Sequence, residues 1–488
     1  MTFSRMGFLW LLFVFVAIEA LYCVPLLSWE LAFGGARTLG PWFALATAGA
    51  VIAATLRWRE KWRVFLEWSS ARLSQIPASQ WLALCFVAGT VLRVWWRWEY
   101  PAPQQSDQAT YFTLAKNLVT EHRYGFSDGL AYWPPGFPFY LSAWFFILGF
   151  RSWVPLVANL SLYGGTLAVV AQLAQRIGGE RSARLATLFL VPWPTMVMIT
   201  GFAGKELLVV FLLCAALLTY SRALDAVKGL TELLFVILTG FVLGAMSLTQ
   251  PSFQLFPIVL VGFDYLHRRS IPRALVRGAI LAITLSLVVI PWSFRNRRVL
   301  GAWVPISTNG GDVFYRANNP LATGGYMPQG EQSLEGFDEV SRGKIGFRLG
   351  MEWIRAHPGR FVLLGVRKQI LFLGDDAQGA YETLKRGLGI GGVRYAAWKA
   401  ASNLYWWAIW AALLLVAASH SKPPLCANPL LGALVLTLLY LLAIHSVFES
   451  GGKYHLPLLG VLAAIAGQAG AVAAKDHAGR VAEAAPSE

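Results

Sequence analysis

Asp107 stands at a junction that suits proton abstraction. An apolar run from Trp81 to Trp98 leads into Tyr100-Pro-Ala-Pro-Gln-Gln-Ser106-Asp107-Gln-Ala-Thr-Tyr111, and Tyr132-Trp-Pro134-Pro135-Gly136-Phe-Pro138 follows. Ser106 is set to cap a helix opening at Asp107, in which Tyr111, Leu114, Ala115 and Leu118 share a face. A carboxylate in a first turn is also ordinary helix-dipole chemistry. That reading does not explain why the helix starts at a bilayer boundary beneath a rigid double-proline turn. Water is scarce there, and a carboxylate's pKa can rise toward values useful to a base.

Three more groups compete for a role. Lys205 and Glu206 are the only charges between Arg184 and Arg222, at the start of an apolar run. First-turn capping accounts for a glutamate there, but an ionisable pair at bilayer depth is a site by default. Lys453-Tyr454-His455 follows Glu449-Ser-Gly-Gly and offers cationic and hydroxyl donors suited to a phosphate. Interfacial anchoring is the competing account of the lysine and tyrosine. Asn309-Gly-Gly-Asp312 and Asn318-Asn319-Pro-Leu-Ala-Thr-Gly-Gly325 read, taken alone, as Asx and glycine turns.

The elements that must position these groups are membrane helices. With 56% hydrophobic residues, 30 Phe, 21 Trp and a mean hydropathy of +0.52, the chain is too apolar for a soluble domain. The apolar runs are continuous and not alternating, which excludes a β-barrel and gives an all-α polytopic membrane protein. Hydropathy places about twelve spans, at 7–27, 39–56, 80–98, 153–175, 184–202, 205–222, 230–249, 252–266, 275–293, 397–418, 428–447 and 455–474. The first could pass for a signal peptide, but it lacks a cleavage site and a second span follows, so it is read as retained. The short breaks at Arg57–Arg63, Arg176–Arg184, Arg222–Lys228, His267–Arg273 and Lys422 are basic and put both termini in the cytoplasm. Residues 136–150 are apolar but short, and span parity assigns them to a helix in the outer interface.

The resulting organisation is an N-terminal hairpin with a basic loop at 1–79, a transmembrane core at 80–293 with an external loop at 99–152, an external subdomain at 294–396, C-terminal spans at 397–475 and a cytoplasmic tail at 476–488. The 294–396 segment carries cations from Arg295 to Lys368 on the side that the positive-inside bias should leave poor in them. A basic surface beside a membrane suits an anionic headgroup or phosphodiester, although any one of these cations is as well explained as solvated charge. The net charge of +15 is spread over loops on both sides, with aromatics at span ends, so nucleic acid is not an expected partner. Cys23, Cys85, Cys214 and Cys426 show no paired spacing, and neither a disulfide nor a zinc site is expected.

Together these motifs resemble the membrane-embedded GT-C glycosyltransferases, most closely the bacterial branch related to protein O-mannosyltransferases and the lipid A aminoarabinose transferase. The resemblance covers residues 80–474 and rests on the order and sidedness of motifs that are each weak alone. It implies a GT-C-like fold with amphipathic juxtamembrane helices, a polyprenyl-phosphate sugar as donor, and a glycan, lipid or protein acceptor outside a plasma or bacterial inner membrane. It further implies that Asp107 matches the catalytic aspartate of the first loop, Glu206 the acidic residue of the second, and Lys453-Tyr454-His455 the segment near the donor phosphate. Tyr111, Pro134, Pro135, Asn318 and Asn319 would line the substrate loop.

This sequence departs from the pattern in two places. Gln108 follows Asp107 where many members have a second acidic residue, and Pro134-Pro135 stand where the aminoarabinose transferases carry a lysine. The leaving phosphate must then be met by other cations, with Lys205, Arg367, Lys368 and Lys453 as candidates. Asp107 would deprotonate the acceptor, and one direct displacement would invert the anomeric centre. No cofactor is expected; paired external carboxylates could hold magnesium or manganese, but no ligand set is recognisable. A transporter or lipid flippase is the alternative from another class, disfavoured by the large external loops and the lack of a half-length repeat. A polysaccharide ligase or polymerase using a polyprenyl-diphosphate glycan would share the same external site.

Overall fold

The apolar runs fold as helices because a bilayer core offers no water to exposed backbone groups, so each segment must satisfy its own N–H and C=O. The computed structural model describes residues 2–33, 39–126, 129–226, 229–268, 270–419 and 428–469, and among these there are helices and no strands. The basic break around Lys422, Cys426 and the tail 476–488 lie outside the described residues.

Eight of the described helices are long and apolar enough to cross a membrane, against the twelve spans read from hydropathy. They lie within α1 (Thr2–Phe33), α4 (Ala78–Glu99), α7 (Val154–Leu190), α9 (Glu206–Asp225), α10 (Leu230–Thr249), α12 (Ile271–Leu300), α17 (Gly392–Ala418) and α18 (Pro429–Val447). Proline accounts for one of the differences. The run 184–202 is divided at Pro192-Trp193-Pro194, where two residues lack the N–H a helix needs, into the end of α7 and the six-residue α8 (Pro194–Ile199). Residues 251–266 and 456–466 form shorter apolar helices: a 3₁₀ turn leading into α11 (Phe256–Arg268), and a second one leading into α19 (Leu459–Ala466). α2 (Gly40–Arg57) completes the N-terminal hairpin, and the basic break after it is largely a helix, α3 (Arg59–Leu73), with Trp62, Phe65 and Trp68 exposed. α6 (Gly136–Leu148) has 13 residues, about 20 Å and so shorter than the hydrocarbon core of about 30 Å.

α7 is two arms joined at Gly179, whose φ of +77° and ψ of −168° turn the chain. Both arms lie on α4. Tyr163 donates to the carbonyl of Cys85 at 2.8 Å on the first arm, and Trp81 donates to Thr187 Oγ1 at 2.8 Å on the second. Asn159 Nδ2 then donates to the carbonyls of Thr200 and Phe202 at 2.9 and 2.7 Å, so the chain that follows the second arm and α8 returns to the end where the first arm began. Elsewhere α10 meets α12 closely: a Cβ on Gly240 would fall 1.6 Å from Thr284 Oγ1, and one on Gly244 2.6 Å from Val288 Cβ. Small residues four apart permit this approach between membrane helices.

The 294–396 segment holds α13 (Gly310–Ala317), the amphipathic α14 (Glu339–Ala356) and α15 (Pro358–Gly374), then the short α16 (Gln378–Ala380) running into a π-helical turn, Tyr381–Gly387. α15 packs against α1 and α18, so this segment rests on the N-terminal hairpin. The remaining helix, α5 (Asp107–Thr120), packs on α6.

Candidate active site

The chain leaving α4 is held against the loop before α9 by backbone-directed side chains. Arg97 donates to the carbonyl of Ala102 at 3.0 Å, and Gln104 both donates to the carbonyl of Gly201 at 3.0 Å and accepts from the N–H of Ala203 at 2.8 Å. These bonds bring the start of α5 beside the start of α9. Ser106 does not cap α5: its side chain makes no capping bond, and its backbone sits at φ +50°, ψ −130°. A non-glycine residue there carries strain of about 1–3 kcal/mol, stored directly before Asp107.

Asp107, Glu206 and Lys453 converge. Lys453 Nζ donates to Asp107 Oδ2 at 2.7 Å and lies 3.8 Å from Glu206 Oε1. The Lys453 ammonium holds the Asp107 carboxyl below the usual carboxylate range. Burial pulls Lys453 itself down, but Asp107 and then Glu206 outweigh it and keep the ammonium firmly protonated. Lys205 behaves in the opposite way, since burial and the neighbouring Lys453 both lower its pKa, against the pull of Glu206 and Asp107. Asp107, Glu206 and Lys453 face a cleft also lined by Ser106, Gln108, Tyr111, Phe202, Gln378, Glu382, Arg386 and Leu456.

Glu382 and Arg386 escape the sequence reading. The π-helical turn puts Glu382 on the cleft wall, where its carboxylate accepts from Gln108 Nε2 at 3.1 Å and Gln378 Nε2 at 2.8 Å and pairs with Arg386 at 3.2 Å. Burial pushes the Glu382 carboxyl up. Arg386 acts on Asp107 through space and keeps 38% of its side chain exposed, so it presents a cation to the cleft. The one local signal was an acid and a base four residues apart, which is common on any solvated helix.

Tyr111 is buried on the cleft floor, edge-on to Phe137 at 5.8 Å. Pro134 and Pro135 are buried and lead into α6, and their loop is tied down by charges. Glu339 accepts from the N–H groups of Leu130 and Ala131 at 2.8 and 3.1 Å and from Thr308 Oγ1 at 2.8 Å, while Arg295 donates to the carbonyls of Leu130 and Tyr124.

Several candidates of the right type are held elsewhere. Arg367 pairs with Glu30 of α1 at 2.7 Å. Lys368 is buried and donates to Asn318 Oδ1 at 3.0 Å and to the carbonyl of Val447 at 2.8 Å, with burial lowering its pKa to about 8. Asn318 and Asn319 also bond carbonyls of α13, as turn residues do. Tyr454 donates to Glu449 Oε2 at 2.8 Å, within a network in which Arg316 lies 3.5 Å from Glu449 and 3.6 Å from Asp312, and Asp312 accepts from Tyr132 at 2.7 Å. His455 is fully buried, between Asp376 and the carbonyl of Phe372. Among the described residues, no group of three or more His, Cys, Asp and Glu side chains has the geometry of a metal site.

No family model matches the sequence, and no curated protein matches it. Solved structures do. The archaeal oligosaccharyltransferase AglB from Archaeoglobus fulgidus, in complex with an inhibitory peptide and a dolichol-phosphate, aligns with a TM-score of 0.50 at 12% identity, over 84% of this chain and 52% of that one. ArnT from Cupriavidus metallidurans bound to undecaprenyl phosphate aligns with a TM-score of 0.42 at 14% identity, over 84% and 82% of the two chains. The chain thus spans about half the length of the oligosaccharyltransferase it matches. At this identity the likeness is one of architecture, and that architecture is the GT-C fold of membrane glycosyltransferases.

Proposed function

We propose that this protein is an integral-membrane glycosyltransferase that moves a sugar from a polyprenyl-phosphate donor to a hydroxyl of a glycan, lipid or protein acceptor. The cleft would face the extracytoplasmic side of a plasma or bacterial inner membrane. The observation that carries this reading is the set of opposed charges in one cleft, at one end of a GT-C bundle: Asp107 and Glu206 with Lys453 between them, and Arg386 lining the same cleft. The oligosaccharyltransferase of like fold is solved with a dolichol-phosphate, and a carrier of that kind suits a cation-bearing cleft at a helix-bundle end.

In the proposed reaction the acceptor oxygen bonds to the anomeric carbon as the bond from that carbon to the phosphate oxygen breaks. The phosphate leaves with the electron pair, and the acceptor proton passes to Asp107. Lys453, Lys205 and Arg386 meet the charge that grows on the phosphate, which is where preorganised cations lower a barrier most. While Lys453 rests on Asp107 the carboxylate is a weak base. A phosphate that draws the ammonium away raises its basicity when the acceptor must lose its proton. One displacement of this kind inverts the sugar. The ammonium of Lys453 already stands between the two carboxylates, so the chemistry proposed here runs without a metal.

The test is transfer by purified protein in nanodiscs, offered radiolabelled polyprenyl monophosphate sugars and polyprenyl diphosphate glycans in competition. Label moving from the monophosphate donors to an acceptor, with inverted configuration, supports the reading. Transfer from diphosphate donors alone would assign the protein to the ligase or polymerase class, and donor flipped across the bilayer unaltered to the transporters.

A further inference from the structure

Asp376 and His455 form a pair beneath the cleft that the proposed chemistry does not use. Both side chains are entirely buried, and His455 Nε2 lies 3.0 Å from Asp376 Oδ1. His455 Nδ1 lies 2.6 Å from the carbonyl oxygen of Phe372, and its ring stacks on Trp406 with centroids 4.3 Å apart and planes at 9°. Trp193 Nε1 donates to the second carboxyl oxygen, Oδ2, at 2.8 Å, and the backbone N–H of Asp376 donates to Asn403 Oδ1 at 2.9 Å.

Hydrogen-bond logic fixes the proton count of the pair. A carbonyl oxygen only accepts, so Nδ1 carries a hydrogen. Nε2 then either donates as an imidazolium to an ionised carboxylate or accepts from a protonated one. In both cases a single proton lies between Nε2 and Oδ1. Burial pushes the Asp376 carboxyl up, in keeping with the protonated form.

Each partner belongs to a different wall of the cleft. His455 follows Lys453 by two residues. Asp376 leads into the turn that bears Gln378, Glu382 and Arg386. Trp193 opens α8, whose Ile199 lines the cleft ahead of Phe202, Gly204 and Glu206. The backbones are equally close: a Cβ on Gly452 would lie 2.4 Å from the carbonyl oxygen of Asp375, and one on Gly379 2.7 Å from Met198 Cβ.

We propose that Asp376 is a positioning residue: its carboxyl, hydrogen-bonded at once to His455 and Trp193, sets Lys453 against Asp107 and the Glu382–Arg386 turn. Its effect on turnover rests on the glycosyltransferase reading; its effect on Lys453 does not. Two substitutions separate the hydrogen bonds from mere volume. Asp376→Leu keeps the size and removes every polar atom. Asp376→Asn keeps an oxygen for Trp193 and supplies an N–H for Nε2.

The experiment labels purified wild-type protein and both variants with a limiting amine acetylating reagent, and reads Lys453 against Lys116, exposed on α5, by mass spectrometry. Lys453 reacts slowly in wild type because Asp107 keeps it protonated. In Asp376→Leu the Lys453 to Lys116 ratio rises about threefold or more, as the displaced amine loses that partner. Turnover falls about tenfold to a hundredfold while the donor KM moves less than about threefold, since small displacements of reacting groups cost rate more than binding. Asp376→Asn stays near wild type in both readings. Trp193→Phe, a milder change that keeps the ring and removes one donor, gives a ratio between wild type and Asp376→Leu and covers the case in which Asp376→Leu fails to fold. An unchanged ratio in the folded apolar variants, or an Asp376→Asn that behaves as Asp376→Leu, overturns the proposal. Wild-type protein that transfers no sugar sinks the glycosyltransferase reading and leaves the labelling comparison standing.

Discussion

Replacing Lys453 by methionine separates what this residue does for the fold from what it does for turnover. The ion pair with Asp107 is partly open, with 31% of the Lys453 side chain and 51% of that of Asp107 exposed. A pair so hydrated contributes about 0–1 kcal/mol, so the melting temperature of Lys453→Met in detergent stays close to wild type. The effect on turnover is larger. A cation aimed at charge that develops only in the transition state is worth about 2.7–4 kcal/mol, or roughly a hundredfold to a thousandfold in kcat. The pH profile carries a second signature. Lys453 holds the Asp107 carboxyl below its usual range, so in wild type the base stays ionised to a lower pH and activity is lost only as pH falls through that depressed value. Without the ammonium the acid limb of kcat/KM moves to higher pH. The assay is steady-state transfer across pH for wild type and Lys453→Met, alongside thermal melting. A variant within about tenfold of wild-type kcat, or one whose acid limb does not move, refutes the reasoning.

Three further outcomes are expected. Glu339→Ala strands the N–H groups of Leu130 and Ala131 and the hydroxyl of Thr308, all bonded to that buried carboxylate. This costs about 1–3 kcal/mol and lowers the melting temperature; equal melting shows that the first loop is held by other contacts. Lys368 titrates near 8 when folded, against 10.5 for the free side chain, so the unfolded chain binds more protons between those values and stability climbs with pH across that window, by up to about 3 kcal/mol. Lys368→Met flattens this climb, and parallel curves for the two proteins would count against a buried, depressed lysine. Chelation with EDTA leaves turnover unchanged, because Lys453 stands between the carboxylates; loss of activity on chelation and its return with manganese would contradict that.

Most of the helical frame was legible because membrane spans announce themselves through continuous apolar runs. Where the frame differs, local chemistry decided: the prolines at 192 and 194 divide one expected span, and the described part of the last apolar run opens with a 3₁₀ turn before α19. Asp107, Glu206 and Lys453 could be singled out because charges are few at the edges of apolar runs, and the three side chains meet in one cleft. For other candidates residue type does not reveal the partner. Arg367 and Lys368 look like phosphate ligands, but α15 packs on α1 and α18, so one cation meets Glu30 and the other meets Asn318. His455 lies two residues after Lys453 and is held in the core against Trp406 and Asp376. Glu382 and Arg386 reach the cleft only through a π-helical turn in a segment of mixed composition, which no periodicity marks. Ser106 has the type of a helix cap, but the approach of the Pro-rich segment to the loop before α9 imposes a backbone conformation that forbids capping.

The central claim is that Asp107 removes the acceptor proton, and Asp107→Asn tests it most directly. Asparagine keeps the shape and still accepts a hydrogen bond from Lys453, but takes no proton. Purified wild-type and Asp107→Asn protein, each given a radiolabelled polyprenyl-phosphate sugar and an acceptor under single-turnover conditions, would differ in transfer rate by about a hundredfold to ten-thousandfold, with donor binding preserved. Equal rates in the two proteins would contradict the assignment.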